Sequence, residues 1–429
     1  MFYERFLNNE DITLFSPHDV PGLYEAFGTD EFDELYEKYE RAYSISKEKV
    51  NAQTLFMTLL KERAETGRIY IMNIDHANSH SSFFEDEAKI SMSNLCQEIT
   101  LPTTPLDSPN DEQGEIALCI LSAINVGSMS NDFKEIPELC DLAVRALDEV
   151  IDYQNYPIRA AELSTRKRRS LGIGYIGLAH FLAKNKVKYN DKEAFNLVHR
   201  LTEHFQFNLL ATSVQLAKEK GSCEGWSETK YHLGELPIDH YKKDVDELVK
   251  TKYECDWESL REELTIHGIR NSTLSAQMPS ESSSVVSNET NGIEPPRDYM
   301  TIKKSKKGPL KQIVPGYQHL KNFYTLLWDM PNNDGYIKVV AIMQKFFDQA
   351  ISGNWSYNPE NYENGEVPLS EMAKDMLNSY KYGWKTVYYQ NTYDSKVEDE
   401  ILEEVTDIVA NDSYEDFDDD GCESGACAI

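Results

Sequence analysis

The chain has 429 residues, 40% of them hydrophobic, enough for a large core built as one α/β unit or as two or three domains. Its formal net charge of −30 and pI near 4.7 exclude a nucleic-acid backbone or an anionic membrane as partner, while a local cluster of donors would still suit a small phosphorylated ligand. No apolar run reaches bilayer-spanning length, and the opening MFYERFLNNEDITLF lacks the charged head, apolar core and cleavage site of a signal peptide, so the reading is a cytoplasmic protein.

Apolar positions at helical spacing (Leu35, Tyr36, Tyr39, then Phe56, Leu59, Leu60) predict helices within 32–64, and IYIMN (69–73) reads as a short strand. His76 and His80 are spaced like two ligands on one helical turn. Their DHANSHSS segment reads as a loop and lacks the glutamate of H-E-x-x-H, so polar loop histidines are expected and no metal site. In Ser93-Asn-Leu-Cys-Gln-Glu98 a carboxamide, a thiol and a carboxylate fall on alternate residues. An extended segment would turn Asn94, Cys96 and Glu98 to one side, setting a redox-active sulfur beside a general base and a hydrogen-bond donor.

IALCILSAINVG (116–127), with Cys119, is long enough for a buried strand, and strands alternating with helices indicate a parallel α/β architecture. Cys140, Cys223 and Cys255 have no partner motif nearby and read as incidental thiols. Gly172-Ile-Gly-Tyr-Ile-Gly177 matches G-x-G-x-x-G. However, the basic run Arg166–Arg169 precedes it, and the residues after it read as helical through Asp191 instead of leading to an acid ending a second strand. Tight packing in a barrel strand is the better explanation. Helical period returns at 191–219 and 337–351, where Val339, Val340, Met343, Phe346, Phe347 and Ala350 would line one face.

Pro279–Ser284, followed by Asn291–Pro296, is hydroxyl-rich: an anion cradle if it caps a helix, a plain loop otherwise. Tyr388-Tyr389 suits either half-buried packing or stepwise electron and proton relay. Structure is expected to stop near Tyr393, giving a body over 1–395 and a flexible tail over 396–429. Twelve of the 23 residues from Glu398 to Asp420 are acidic, which keeps such a segment solvated. Seven irregularly spaced cysteines without an export signal suit a reducing cytosol, and Cys422 and Cys427 read as a mobile dithiol, since two thiols alone make a weak zinc site. A coil of the 31 residues from Asn391 to Gly421 spans roughly 30 Å, enough to reach an interior site.

Together SNLCQEITLPTTPL, GEIALC with SAINVG, RRSLGIG, RNSTLSAQMPSESSS, NGIEPPR, YYQNT and the terminal CESGAC resemble, in family order along the whole chain, the large catalytic subunit of class Ia ribonucleotide reductase of the bacterial and bacteriophage type. The resemblance implies the C-terminal part of a ten-stranded α/β barrel, with Cys96 at the tip of a finger loop through its centre and a disordered C-terminal tail. It implies that Cys96 becomes a transient thiyl radical taking the 3′ hydrogen of a ribonucleoside diphosphate. Glu98 would be the base at the 3′ hydroxyl, Asn94 would hold the substrate hydroxyls, and Cys119 would be one of two thiols that reduce the 2′ position. Tyr388, next to Cys96, and Tyr389, nearer the small subunit, would carry the radical. Glu281, Ser282 and Ser283 would cradle the diphosphate, with serine where relatives often have threonine. Cys422 and Cys427 would re-reduce the active-site disulfide and be restored by thioredoxin or glutaredoxin. The implied radical source is a diiron-tyrosyl centre in a separate small (beta) subunit, with no cofactor bound by this chain.

One departure stands out. Family members carry a long N-terminal portion with the effector domain, half of the barrel and the second cysteine of the reducing pair, whereas residues 1–95 contain no cysteine at all. The expectation is the C-terminal half of a split subunit, its N-terminal half supplied on a separate chain, in the cytoplasm (a host's, if phage-encoded). A competing expectation is an inactive fragment acting only as a binding module for the small subunit, indifferent to loss of Cys96. A third is a simple dithiol reductant, dependent on Cys422 but not on Cys96 or Tyr388.

Overall fold

Parallel strands that bury both faces must be apolar throughout and need a helical crossover between them, and that is how the centre of this chain is written. The computed structural model describes residues 1–29, 31–108, 111–305 and 308–394, with the backbone alone at the described positions between 302 and 310. Ten strands are found among the described residues, in chain order β1 (Asp11–Phe15), β2 (Lys47–Asn51), β3 (Ile71–Met72), β4 (Ile120–Asn125), β5 (Leu171–Ile176), β6 (Met300–Ser305), β7 (Gly308–Ile313), β8 (Trp355–Tyr357), β9 (Thr386–Val387) and β10 (Gln390–Thr392). They form five two-stranded sheets: β1 with β2 and β3 with β9 antiparallel, β4 with β5 and β8 with β10 parallel, and β6 with β7. The fold is α/β, and no closed ten-stranded barrel is formed by the described residues.

The β4–β5 pair is the frame. It runs in register from Ile120 opposite Leu171 to Asn125 opposite Ile176, joined by helices Ile136–Tyr153 and Arg159–Arg168. Every residue of β5 is buried. Single parallel bridges carry the array onward, from Ile173 to Ser275 and from Gln277 to Ile351. The Tyr388 N–H then donates to the Gly353 carbonyl at 2.9 Å, bringing the end of β9 alongside. The Gly172–Gly177 motif is explained by close approach. A Cβ at Gly172 would sit 2.7 Å from Cys119 Sγ, and one at Gly174 would sit 2.8 Å from the Ala276 carbonyl oxygen. The glycines are strand-packing residues, as expected, and the chain after them forms a short helix, Leu178–Lys184, followed by a turn instead of helix through Asp191.

Helix Lys192–Lys220 packs on Ile136–Tyr153 and Asp334–Gln344, and all three feed one hydrophobic core with β5. Helices Glu31–Arg41 and Ala52–Thr66 match the periodicity of 32–64; the second starts with Asn51 accepting the Thr54 N–H. Three further expectations need correction. The strand expected at 69–73 is only Ile71–Met72, because just two residues find a partner in β9. The helix expected to reach 351 stops at Gln344, so Phe346, Phe347 and Ala350 are buried from a turn. The DHANSHSS loop is instead helix Ile74–Ser79, with His76 and His80 both buried and donating to the carbonyls of Trp384 and Pro237. The compact body comprises Met1–Met300 and Gln312–Tyr393, while the described residues between 301 and 311 and Asp394 fall in a second unit.

Candidate active site

The segment around Cys96 is a turn, not the extended strand its alternation suggested. Asn94 closes it: the Asn94 carbonyl accepts the Gln97 N–H at 3.1 Å, and Asn94 Oδ1 accepts the Ile99 N–H at 3.0 Å. A short polar side chain that bonds the backbone ahead of it competes with strand pairing, and Gln97 adopts the left-handed conformation (φ 70°) that completes the reversal. Leu95 is 78% exposed at the tip, Cys96 is half-buried, and Glu98 is buried at 3% exposure. Asn94, Cys96 and Glu98 therefore share a turn without sharing a strand face. The Ala350 N–H donates to the Glu98 carbonyl at 3.0 Å, tying the turn to the parallel array. Two residues on, the Ser352 hydroxyl lies 2.5 Å from the Cys96 carbonyl and 3.1 Å from Glu98 Oε2.

Tyrosines converge on the thiol from the other side. The Tyr388 hydroxyl donates to Cys96 Sγ at 3.4 Å, and the Tyr388 and Tyr389 rings lie 4.2 Å apart between centroids. Burial, then the bond to Cys96, holds the Tyr388 phenol above its usual range. Hydrogen bonding with Tyr70, then with Tyr388, pulls Tyr389 below it. Tyr70 completes the cluster, 4.8 Å from the Tyr388 ring and 5.3 Å from that of Tyr389. The β3–β9 register explains it: Ile71 opposite Val387 sets Tyr70 opposite Tyr388. Sequence reading missed Tyr70, although its place in IYIMN was the available signal.

Cys119 lies just ahead of β4, over the bare backbone of Gly172, and its Sγ accepts from Gln349 Nε2 at 3.4 Å. Burial pushes this thiol up to about 12; the Gln349 donor opposes that, and the charges of Glu98 and Asp348 add to it. Gln349 is itself anchored by donating to the Leu171 carbonyl at 2.9 Å. Beneath it, the buried Asp348 carboxylate accepts the N–H groups of Leu274 and Ser275 at 2.9 and 2.8 Å and the Tyr231 hydroxyl at 3.1 Å. Lys385, wholly buried, donates to the carbonyls of Asp348 and Gln349, and burial pushes its amine down to about 7. Ser352, Gln349, Asp348 and Lys385 were also missed. Asp348 and Gln349 fall within 337–351, which periodicity reads as helix, and Ser352 follows directly after it.

Glu281, Ser282 and Ser283 occupy the exposed first turn of a six-residue helix, Glu281–Val286, so this hydroxyl-rich stretch does open a helix. Its capping residue behaves unexpectedly: Ser280 Oγ donates back to the Met278 carbonyl at 2.9 Å and leaves the helix N–H groups alone. The helix follows the Gln277 segment that bridges to Ile351, next to Ser352. Cys140, Cys223 and Cys255 are separate free thiols. Cys422 and Cys427, with the acidic run before them, lie outside the described residues. Among the described residues no group of three or more His, Cys, Asp or Glu is placed to hold a metal, and no helix is long and apolar enough to cross a membrane.

The family described as "Ribonucleotide reductase, barrel domain" matches residues 1–390. Ribonucleoside-diphosphate reductase subunit alpha of Haemophilus influenzae is 54% identical over 431 residues, taking in all of this chain and 55% of that protein. Ribonucleoside-diphosphate reductase 1 subunit alpha of Escherichia coli K12 is 54% identical with the same coverage, and subunit alpha of Enterobacteria phage T4 is 45% identical over 93% of this chain and 53% of its own length. The chain thus spans about half the length of the curated relatives it matches. A match over nearly all of the described body, meeting a thiol, a buried carboxylate and paired tyrosines in one place, leaves one conclusion: the chain belongs to the ribonucleotide reductase barrel-domain family.

Proposed function

We propose that this chain is the catalytic C-terminal portion of a ribonucleoside-diphosphate reductase, converting ribonucleoside diphosphates to 2′-deoxyribonucleoside diphosphates for DNA precursor synthesis. The observation that carries the reading is the Tyr388 hydroxyl bonded to Cys96 Sγ, with the Tyr389 ring against it at 4.2 Å between centroids. An oxidised Tyr388 would take the hydrogen atom of the Cys96 thiol, and the resulting thiyl would take the 3′ hydrogen atom of the ribose. S–H and ribose C–H bonds are similar in strength, so the exchange is close to balanced. Glu98 accepts the 3′-hydroxyl proton and Asn94 orients the substrate hydroxyls. The 2′ oxygen leaves as water, and two electrons come from Cys119 and a second thiol as they close a disulfide. Cys96 then returns its hydrogen to the 3′ carbon. Glu281, Ser282 and Ser283 receive the diphosphate at the opening turn of their helix, where N–H groups and hydroxyls can donate to an anion.

The partners belong to the same proposal. A small subunit with a diiron-tyrosyl centre supplies the oxidising equivalent through Tyr389. Cys422 and Cys427 return the disulfide to thiols, and thioredoxin or glutaredoxin restores them. The N-terminal portion of the large subunit, on a separate chain, completes the barrel and brings the second thiol. Two features support that completion: among the described residues β4 pairs only with β5, and Leu121 on it is 42% exposed, as a strand awaiting a neighbour would be. The test is reconstitution with a cognate N-terminal half and small subunit. Diphosphate reduction is expected with the natural chain and none with Cys96→Ser; activity that survives Cys96→Ser overturns the reading.

A further inference from the structure

Ser352 stands between two groups that the proposed reaction uses. Its hydroxyl, buried at 7% exposure, lies 2.5 Å from the Cys96 carbonyl and 3.1 Å from Glu98 Oε2, yet it carries a single proton. A carbonyl only accepts, so the contact with Cys96 is a hydrogen bond only while Ser352 donates to it. The contact with Glu98 has two forms. A carboxylate accepts from Ser352; a protonated carboxyl donates its own O–H to Ser352 Oγ. Both contacts are satisfied at once in just one state, the one with Glu98 protonated. We propose that Ser352 is a positioning residue that couples the placement of Cys96 to the protonation state of Glu98.

The inference rests on the reading of Glu98 as the base. Once Glu98 has taken the 3′-hydroxyl proton, its new O–H turns to Ser352 Oγ, and the Ser352 O–H turns to the Cys96 carbonyl. The proton stays on Glu98, and no bond to Ser352 breaks; the hydroxyl only rotates. The turn carrying Cys96 is therefore fastened while the radical is on the substrate and the sulfur must wait to return its hydrogen. It is released when Glu98 gives the proton up and again claims the Ser352 donor. The anchor between Ala350 N–H and the Glu98 carbonyl keeps the serine in reach of both oxygens throughout. The titratable neighbours of the arrangement are Cys119, whose thiol feels the Glu98 charge, and Tyr388, bonded to Cys96.

The test is a double-mutant cycle on the full 429-residue chain, reading modification of Cys96 by 4,4′-dithiodipyridine through mass spectrometry of its peptide. Glu98→Gln puts a permanent N–H donor opposite Ser352 and mimics the protonated state. It should slow Cys96 labelling by about threefold or more, the usual weight of one hydrogen bond. In a Ser352→Ala background the same change should have no effect, and in Ser352→Thr, which keeps the hydroxyl, the effect should return. An equal factor with and without the Ser352 hydroxyl, or no factor in either background, overturns the proposal. Amide exchange over 94–98 gives a second reading that needs no change at Ser352: protection rises in Glu98→Gln if the coupling exists and is unchanged if it does not. Labelling needs neither substrate nor radical, so failure here is distinct from failure of the reductase reading.

Discussion

Replacing Gly172 with alanine puts a methyl group where three strands meet. Its carbon would stand 2.7 Å from Cys119 Sγ, 2.7 Å from a Leu121 methyl and 3.1 Å from Ala276 Cβ. Non-bonded carbons settle at about 3.5–4.0 Å, so Cys119 and Leu121 must retreat by roughly 1 Å. The third wall, Ala276, is wholly buried in the parallel array and has nowhere to go. Overpacking of this kind costs about 1–3 kcal/mol. The displacement also takes Cys119 away from Gln349 Nε2, already 3.4 Å distant, and out toward solvent. Urea unfolding followed by circular dichroism should show a lower midpoint with an unchanged slope. Alkylation of Cys119 in the folded variant should become faster, because the burial that suppresses its thiolate is relieved. A midpoint and an alkylation rate both equal to those of the natural chain would show that Cys119 does not rest on Gly172, and the site geometry built on that contact would fall.

Tyr388→Phe keeps the ring packed against Tyr389 and removes the hydroxyl next to Cys96, so the variant should fold with a loss of about 1 kcal/mol or less while turnover of the reconstituted enzyme drops to background; a readily measured steady-state rate would contradict the relay. His199 is buried with both ring nitrogens unpaired, and burial, then Lys345, depress it to about 4. Its unfolded form binds a proton near pH 6.5, so its contribution is fully present above that pH and is lost as pH falls toward 4, on the order of 3 kcal/mol in all. Stability measured across pH 4–7 should flatten in His199→Leu, and an unchanged acid slope would assign the effect elsewhere.

Much of this was legible without coordinates. Helices at 31–41, 52–66 and 192–220 follow from apolar residues returning every 3.6 positions, a local regularity that packing then uses. The continuous apolar run at 116–127 does contain β4, although only Ile124 of that strand is buried, and the glycines of Gly172–Gly177 serve strand packing, as their flanking residues indicate. Motif and chemistry single out Cys96, Glu98, Cys119, Tyr388 and Tyr389, and the fold brings them into one region.

The errors also have local causes. Alternation at 94–98 suggests a strand because period alone cannot see that Asn94 bonds the backbone ahead and forces a turn. Apolar spacing through 350 suggests helix because a buried turn can be as apolar as a helix face. Sequence alone therefore determined which residue types could do the chemistry and which segments would be helical, since both depend on neighbours along the chain. Only the tertiary structure decided that Tyr70 joins the tyrosine pair, that Gln349 holds Cys119 and that Ser352 stands between Cys96 and Glu98. Those partners lie hundreds of positions apart, and contacts a few ångströms long exist only once strand pairing, antiparallel between β3 and β9 and parallel from β4 and β5 onward, has brought the segments together.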